Sequence, residues 1–328
     1  VHDMAGIRDV ARLAHVSTST VSLVLNNNGH VSDKTRKKVE TAMQELNYIP
    51  NELARNLYHS KTNIVGLILP DIAHPFFGLF AKYVEIELHK EGYKTMLCST
   101  VHEENGEKEY IDMLNRQMMD GIIMGSHSLD IDEYNGIVRP IVSLDRYINE
   151  TIPIVMSDHE KGGTLAAEEL LRCGCRKVLQ IMGNRNVNTP AHLHHYAFEK
   201  KLLEAGVSVC TEEMPWNRWS FEEFYAFVKK IYTAYPDIDA VYGADLIAVA
   251  YLKEAGARGR RIPEDLKIIA YDGTDVTRMG AVTITSVYQD VQQLAKEAVK
   301  LLVEKINGIE NQNDRRILDV CLKKGETT

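Results

Sequence analysis

A chain of 328 residues with 45% hydrophobic and 26% charged side chains has enough apolar material for two or three packed domains. Its net charge of −8 argues against a protein that sheathes nucleic acid, yet residues 1–60 hold seven basic against six acidic side chains, so the whole acidic excess lies beyond them. Five irregularly spaced cysteines make no disulfide framework, no apolar run reaches the ~18 residues of a membrane span, and the first residues lack a secretory apolar core. A cytoplasmic protein with free thiols is expected. Cys173-Gly174-Cys175 has no second pair at zinc spacing, so no metal is expected there.

The first elements are two short helices joined by a tight turn. Val10, Leu13 and Ala14 recur at helical spacing, and His15-Val16 interrupts them. Ser17 or Thr18 supplies a capping hydroxyl for a second helix, which buries Val21, Val24 and Leu25 and leaves Thr18, Ser19, Ser22 and Leu23 outward. Such a helix–turn–helix is built to lay its second helix in a DNA major groove. A third amphipathic helix spans 33–47, with Ser32 as cap, Val39, Ala42, Met43 and Leu46 as its apolar stripe, and Lys34, Arg36, Lys37 and Lys38 as a basic cluster. Beyond Pro50 comes a helical pattern too short to be stable alone, so it would order only against a partner.

From Asn63 the pattern changes. Continuous apolar runs at 64–69, 95–98, 121–125, 141–144, 154–156, 178–182, 240–242 and 266–271 read as strands buried on both faces. Helical segments near 76–91, 106–119, 159–173, 190–205, 221–234, 245–256 and 290–307 separate them, and one late strand is expected near 316–322. The alternation predicts an α/β core of parallel sheets in two lobes, with a ligand at the carboxyl ends of the strands. The expected organisation is 1–49 for the DNA-binding domain, 50–62 for a hinge and linker, and 63–328 for the core.

The residues Asp9-Val10-Ala11, Val16-Ser17-x-x-Thr20-Val21-Ser22, Val24-Leu25-Asn26 and Val31-Ser32-x-x-Thr35 resemble the lactose-repressor (LacI/GalR) family. So do Leu46-Asn47-Tyr48-x-Pro50-Asn51, Ala54-Arg55-x-Leu57, Val65-Gly66-Leu67-Ile68, Asp120-Gly121-Ile122-Ile123, Gly162-Gly163-x-Leu165-Ala166, Ile262-Pro263-Glu264-Asp265-Leu266, Tyr271-Asp272-Gly273-Thr274 and Ser286-Val287-x-Gln289. The similarity runs the length of the chain. Ser126-His127-Ser128-Leu129 and Leu144-Asp145-Arg146 look most like the sucrose-operon repressors within it. The resemblance implies a homodimer on a near-palindromic operator, a periplasmic-binding-protein-like core that senses a small molecule, and a hinge helix that couples them. It also implies DNA contacts from Ser17, Thr20, Ser22, Asn26, Ser32, Thr35, Asn51, Ala54, Arg55 and Leu57, with Leu57 wedged into the minor groove.

Read from the residues themselves, Thr18 and Ser19 open the recognition helix and can make only close hydrogen bonds or thymine-methyl contacts. Leu23 stands where many members carry arginine, and it cannot pair with guanine. Arg8 can reach phosphate or a base. For the effector, the candidates at strand ends are Asp71, His74, Phe76 and Phe77, the pair Asp145 and Arg146, and Asp272, whose carboxylate accepts from hydroxyls. An arginine fork suits paired hydroxyls or a phosphate. The resemblance adds Ser126, His127, His194, Ala244, Asp245 and Gln289, and Trp219 as a pocket-wall indole. Two departures stand out. The family's Arg-x-x-Gly-Phe reads His194-His195-Tyr196-Ala197-Phe198, and its Asn-Asp or Ser-Asp pair reads Ala244-Asp245. His192 and His195 neighbour each other on a helix while His194 points elsewhere, which argues against a shared metal. No nucleophile elbow, phosphate loop or metal set is present in the sequence, so no enzyme and no cofactor is expected. The alternatives are a transporter's solute receptor, which shares the core and would not carry residues 7–57, and a regulator of the same family with a non-sugar effector or none.

Overall fold

The computed structural model describes residues 5–26, 30–49, 61–100, 106–126, 134, 136–216, 218–309 and 315–328. The chain falls into two compact units, 1–62 and 63–328. In the first, α1 (Ile7–Ala14), α2 (Thr18–Leu25) and α3 (Asp33–Glu45) enclose a small core of Val10, Ala11, Ala14, Val21, Val24, Val39 and Ala42. His15 ends α1 in the left-handed region at φ 55°, which makes the turn into α2 tight. Ser17 caps α2 by accepting from the Thr20 N–H at 3.1 Å, and Ser32 caps α3 by accepting from the Thr35 N–H at 3.3 Å. Leu25, expected in the core, is half-buried, as is Ser22.

The second unit holds two six-stranded sheets. In the first lobe, β1 (Ile64–Leu69), β2 (Lys94–Ser99), β3 (Gly121–Met124), β4 (Ile141–Leu144) and β5 (Ile154–Ser157) pair in parallel, with α4 (Pro75–Lys90) and α5 (Gly106–Asn115) between strands. After β5 the chain crosses to the second lobe through α6 (His159–Arg172). There β6 (Lys177–Met182), α7 (His192–Glu204), β7 (Ser208–Glu213), α8 (Phe221–Tyr232), β8 (Ala240–Ala244), α9 (Asp245–Ala257), β9 (Lys267–Asp272) and β10 (Thr285–Gln289) follow. Next, α10 (Val291–Ile306) returns to the first lobe, packing Leu294, Ala298 and Leu302 on the core beside β1 and β4.

The late strand expected as one piece is two. β11 (Arg315–Leu318) pairs in parallel with β5, and β12 (Val320–Lys323) pairs antiparallel with β10. Asp319 lies between them, so a single residue carries the chain from one sheet to the other. Three crossings therefore join the lobes, and residues at the carboxyl ends of β4, β6, β8, β9 and β10 line a common cleft. The helix expected over 106–119 stops at Asn115, because Gln117 takes φ 59° and turns the chain toward β3. β7 and β10 were not among the expected strands.

One close approach decides the second lobe's geometry. Gly163 on α6 faces the α7 backbone so tightly that a Cβ there would overlap the His194 carbonyl oxygen. The absence of a side chain brings α7 down onto α6 and fixes the position of His194.

Candidate functional site

In the first unit, Arg8, Thr18, Ser19 and Leu23 lie exposed on α1 and α2, with Leu23 at 38% exposure. Ser17 and Thr20, read as DNA contacts, are engaged locally: the Ser17 hydroxyl sits 2.7 Å from that of Ser19 and 2.8 Å from that of Thr20. Asn26 folds back to donate to the Ser22 carbonyl at 3.0 Å and its hydroxyl at 3.2 Å. Ser32 and Thr35 form the α3 cap, their hydroxyls 2.9 Å apart. Arg36 donates to the Val24 carbonyl at 3.4 Å and ties α3 to the end of α2, while Lys34, Lys37 and Lys38 stay exposed. Asn51, Ala54, Arg55 and Leu57 lie outside the described residues, as does His127.

Between the two lobes of the second unit lies a cavity of about 240 Å³. One side is aromatic. His74 and Phe77, at the start of α4, meet Trp219 with ring centroids 5.8 and 5.6 Å apart, and Phe224 of α8 closes on His74 at 6.3 Å. Phe76 lines the same wall. His74 and Phe77 come from the first lobe, Trp219 and Phe224 from second-lobe segments, so this cluster bridges the cleft. The His74 Nδ1 is buried and has no hydrogen-bond partner among the described residues. Burial pulls the imidazole down to about 4, against the pull of Asp71.

The other side is polar. Asp145, just past β4, accepts from His159 Nε2 at 2.8 Å, and His159 Nδ1 lies 2.7 Å from the Tyr271 hydroxyl. With Nε2 donating to Asp145, Nδ1 is left to accept a hydrogen bond from the Tyr271 hydroxyl. The Thr189 hydroxyl donates to the Asp145 carbonyl at 2.6 Å. Both bonds tie a first-lobe residue to the second lobe. Asp272, ending β9, accepts from the Gln289 amide at 2.8 Å. Asp145 and Asp272 both take positive φ, 49° and 112°, unusual for residues with side chains and located where two strands present carboxylates to the cavity. Burial raises the Asp272 carboxyl far above the usual range, and the Asp245 charge adds to it.

The histidine segment lines this side as well. His194 lies 2.7 Å from the Tyr242 hydroxyl and stacks on Tyr271 with centroids 3.7 Å apart and planes 9° off parallel. His195 Nδ1 donates to the Gln180 side-chain oxygen at 3.1 Å. Burial holds His194 well below its ordinary range and takes His195 down to about 3. Both are neutral rings, and His194 is not a cation in place of the family's arginine. The expectation that His194 points away from its neighbours is corrected: its ring lies 3.9 Å from that of His195, and His192 lines the same cavity. Among the described residues no three His, Cys, Asp or Glu side chains converge as a metal site. All five cysteines are unpaired.

Four of the expected effector residues are not on the cavity. Arg146 is 1% exposed and turned into the first lobe, where it donates to Glu107 at 2.7 Å, the Ser126 carbonyl at 3.0 Å and the Tyr134 hydroxyl at 3.1 Å. Both residues lie past β4, and the left-handed turn at Asp145 leaves its side chain on the cavity while Arg146 enters the first lobe, so the two do not both line the cavity. Ser126 serves that same strut, its hydroxyl 2.6 Å from that of Thr100. Asp71 closes a turn by accepting from the Ala73 N–H at 2.8 Å. Asp245 sits at the start of α9 and accepts from the Gly273 and Thr274 N–H groups at 3.0 and 2.7 Å and the Thr274 hydroxyl at 2.6 Å. Burial nonetheless takes its carboxyl up to about 7. Ala244 and Gln289 do line the cavity, as do the unanticipated His159, Asn184, Thr189 and Trp216.

Residues 6–51 match the lacI family of bacterial regulatory proteins, and residues 167–328 match the periplasmic binding protein-like domain. The sucrose operon repressor of Streptococcus mutans is 36% identical over 99% of both chains. The chain belongs to the lacI family. The ribose operon repressor of Halalkalibacterium halodurans is likewise 36% identical, over 92% of this chain and 91% of that one. Among solved structures, the Lac repressor dimer bound to operator and the anti-inducer ONPF superposes with a TM-score of 0.86 at 25% identity over 99% of each chain. As a regulatory protein of the lacI family the chain is not an enzyme.

Proposed function

We propose that this chain is a cytoplasmic, homodimeric repressor of a carbohydrate-utilisation operon, released from or held on its operator by a sugar in the interlobe cavity. The observation that carries the reading is the cavity's two-sided chemistry. An aromatic wall of Phe77 and Trp219 suits the apolar face of a sugar ring, and Asp145, Asp272 and Gln289 opposite suit its hydroxyls. The helix–turn–helix unit favours a DNA-binding regulator over a solute receptor of the same core. Among the described residues no helix is long and apolar enough to cross a membrane.

In this reading residues 1–49 read DNA, 50–62 form a hinge with Leu57 as a minor-groove wedge, and 63–328 dimerise and sense. Asp145 belongs to one lobe and Asp272 to the other. A ligand held by both changes the relative stability of open and closed lobes. It alters operator affinity only by the difference between its affinities for the two arrangements.

The test uses the full chain. Duplexes selected from a randomised pool are titrated by fluorescence anisotropy, and the stoichiometry is read by sedimentation. The proposal expects one dimer on a near-palindromic duplex, affinity that falls steeply with salt, and strong weakening by Leu57→Ala. Selection that yields no sequence above the random background would overturn it.

A further inference from the structure

We infer that the interlobe cavity accepts uncharged sugars and rejects their phosphate esters. The inference rests on the reading of this cavity as a carbohydrate site and concerns the charge of what enters. A phosphate dianion taken out of water needs a guanidinium, an ammonium or converging donors to replace its hydration. Among the described lining residues there is no lysine, and the guanidinium present is that of Arg218. It is committed to Glu223 at 2.8 Å and lies largely in solvent.

Arg146, which sequence position alone would assign to a phosphate, spends its charge on Glu107 within the first lobe. The imidazoles of His74, His194 and His195 are uncharged in the folded protein because burial disfavours their protonated forms. Those of His194 and His195 are also occupied, by Tyr242 and Gln180. What faces the cavity instead is the Asp145 carboxylate and Asp272, groups that serve hydroxyls and do not neutralise an anion.

Calorimetry on the full chain decides, with three pairs as probes: D-ribose and its 5-phosphate, D-fructose and its 6-phosphate, sucrose and its 6-phosphate. At least one parent sugar is expected to bind, with its ester weaker by about tenfold or more. An ester that binds as tightly as its parent overturns the inference and leaves the carbohydrate reading intact. Failure of all six to bind overturns both. Arg218→Gln checks the rim guanidinium: the ratio of parent to ester affinity is expected to stay within about twofold of that in wild type, since an exposed pair contributes little. Ester affinity present in wild type and lost in Arg218→Gln would show that Arg218 leaves Glu223 for phosphate, again overturning the inference.

Discussion

His74→Phe should flatten the acid dependence of stability. The ring sits among Phe77, Trp219 and Phe224, 6% exposed, and its Nδ1 has no partner among the described residues. Burial lowers its pKa from 6.5 to about 4 in the folded protein. A histidine with a depressed folded pKa contributes stability above 6.5, and that contribution is lost as the pH falls, because the unfolded ring takes up a proton that the buried ring refuses. At roughly 1.36 kcal/mol for each pH unit below 6.5, the loss by about pH 5.0 is about 2 kcal/mol. Phenylalanine keeps the aromatic contacts and cannot titrate. Urea titrations at about pH 7.5 and 5.0, read by the fluorescence of Trp216 and Trp219, should show the variant losing about 2 kcal/mol less than wild type between the two. His194 and His195 titrate in the same sense in both proteins, so the difference belongs to His74. Equal losses would mean that the buried imidazole is not neutral in the folded chain.

Gly163→Ala should cost about 1–3 kcal/mol, because the added methyl overlaps the His194 carbonyl and forces α7 off α6. Thermal unfolding measures the cost, and calorimetry should show sugar binding lost as His194 leaves Tyr271. Leu23→Arg should change which duplexes a randomised selection returns. The wild type is expected to favour A·T at the position facing residue 23, where thymine offers a methyl, and the variant G·C, where guanine offers two acceptors to a guanidinium. Identical selected sites for the two proteins would remove residue 23 from base readout.

Much of the architecture can be read from the sequence, since parallel strands covered on both faces appear as unbroken apolar runs such as Ile64–Leu69 and Ile268–Tyr271. The helix caps at Ser17 and Ser32 are equally local signals. β7 escapes because Ser208-Val209-Cys210-Thr211-Glu212-Glu213 is an edge strand with polar composition. The split of the last strand at Asp319 escapes because two short strands on different sheets read as one apolar stretch. In the cavity, strand-end position finds Asp145 and Asp272 but cannot decide direction, and past the left-handed turn at Asp145 the chain turns Arg146 into the first lobe. His159 has no local signature. Its place depends on Asp145, 14 residues away, and on Tyr271, 112 residues away, and only the fold brings the three together.

In the proposed function a ligand held in the interlobe cavity changes the hold on DNA. The direct measurement is operator affinity of the full chain with and without the sugar that calorimetry identifies, in wild type and in Asp272→Ala. The expected result is a shift of about fivefold or more in wild type, in either direction, and none in Asp272→Ala, whose operator affinity without sugar stays near that of wild type. An equal shift in both proteins, or a sugar that binds wild type and leaves operator affinity unchanged, would contradict it.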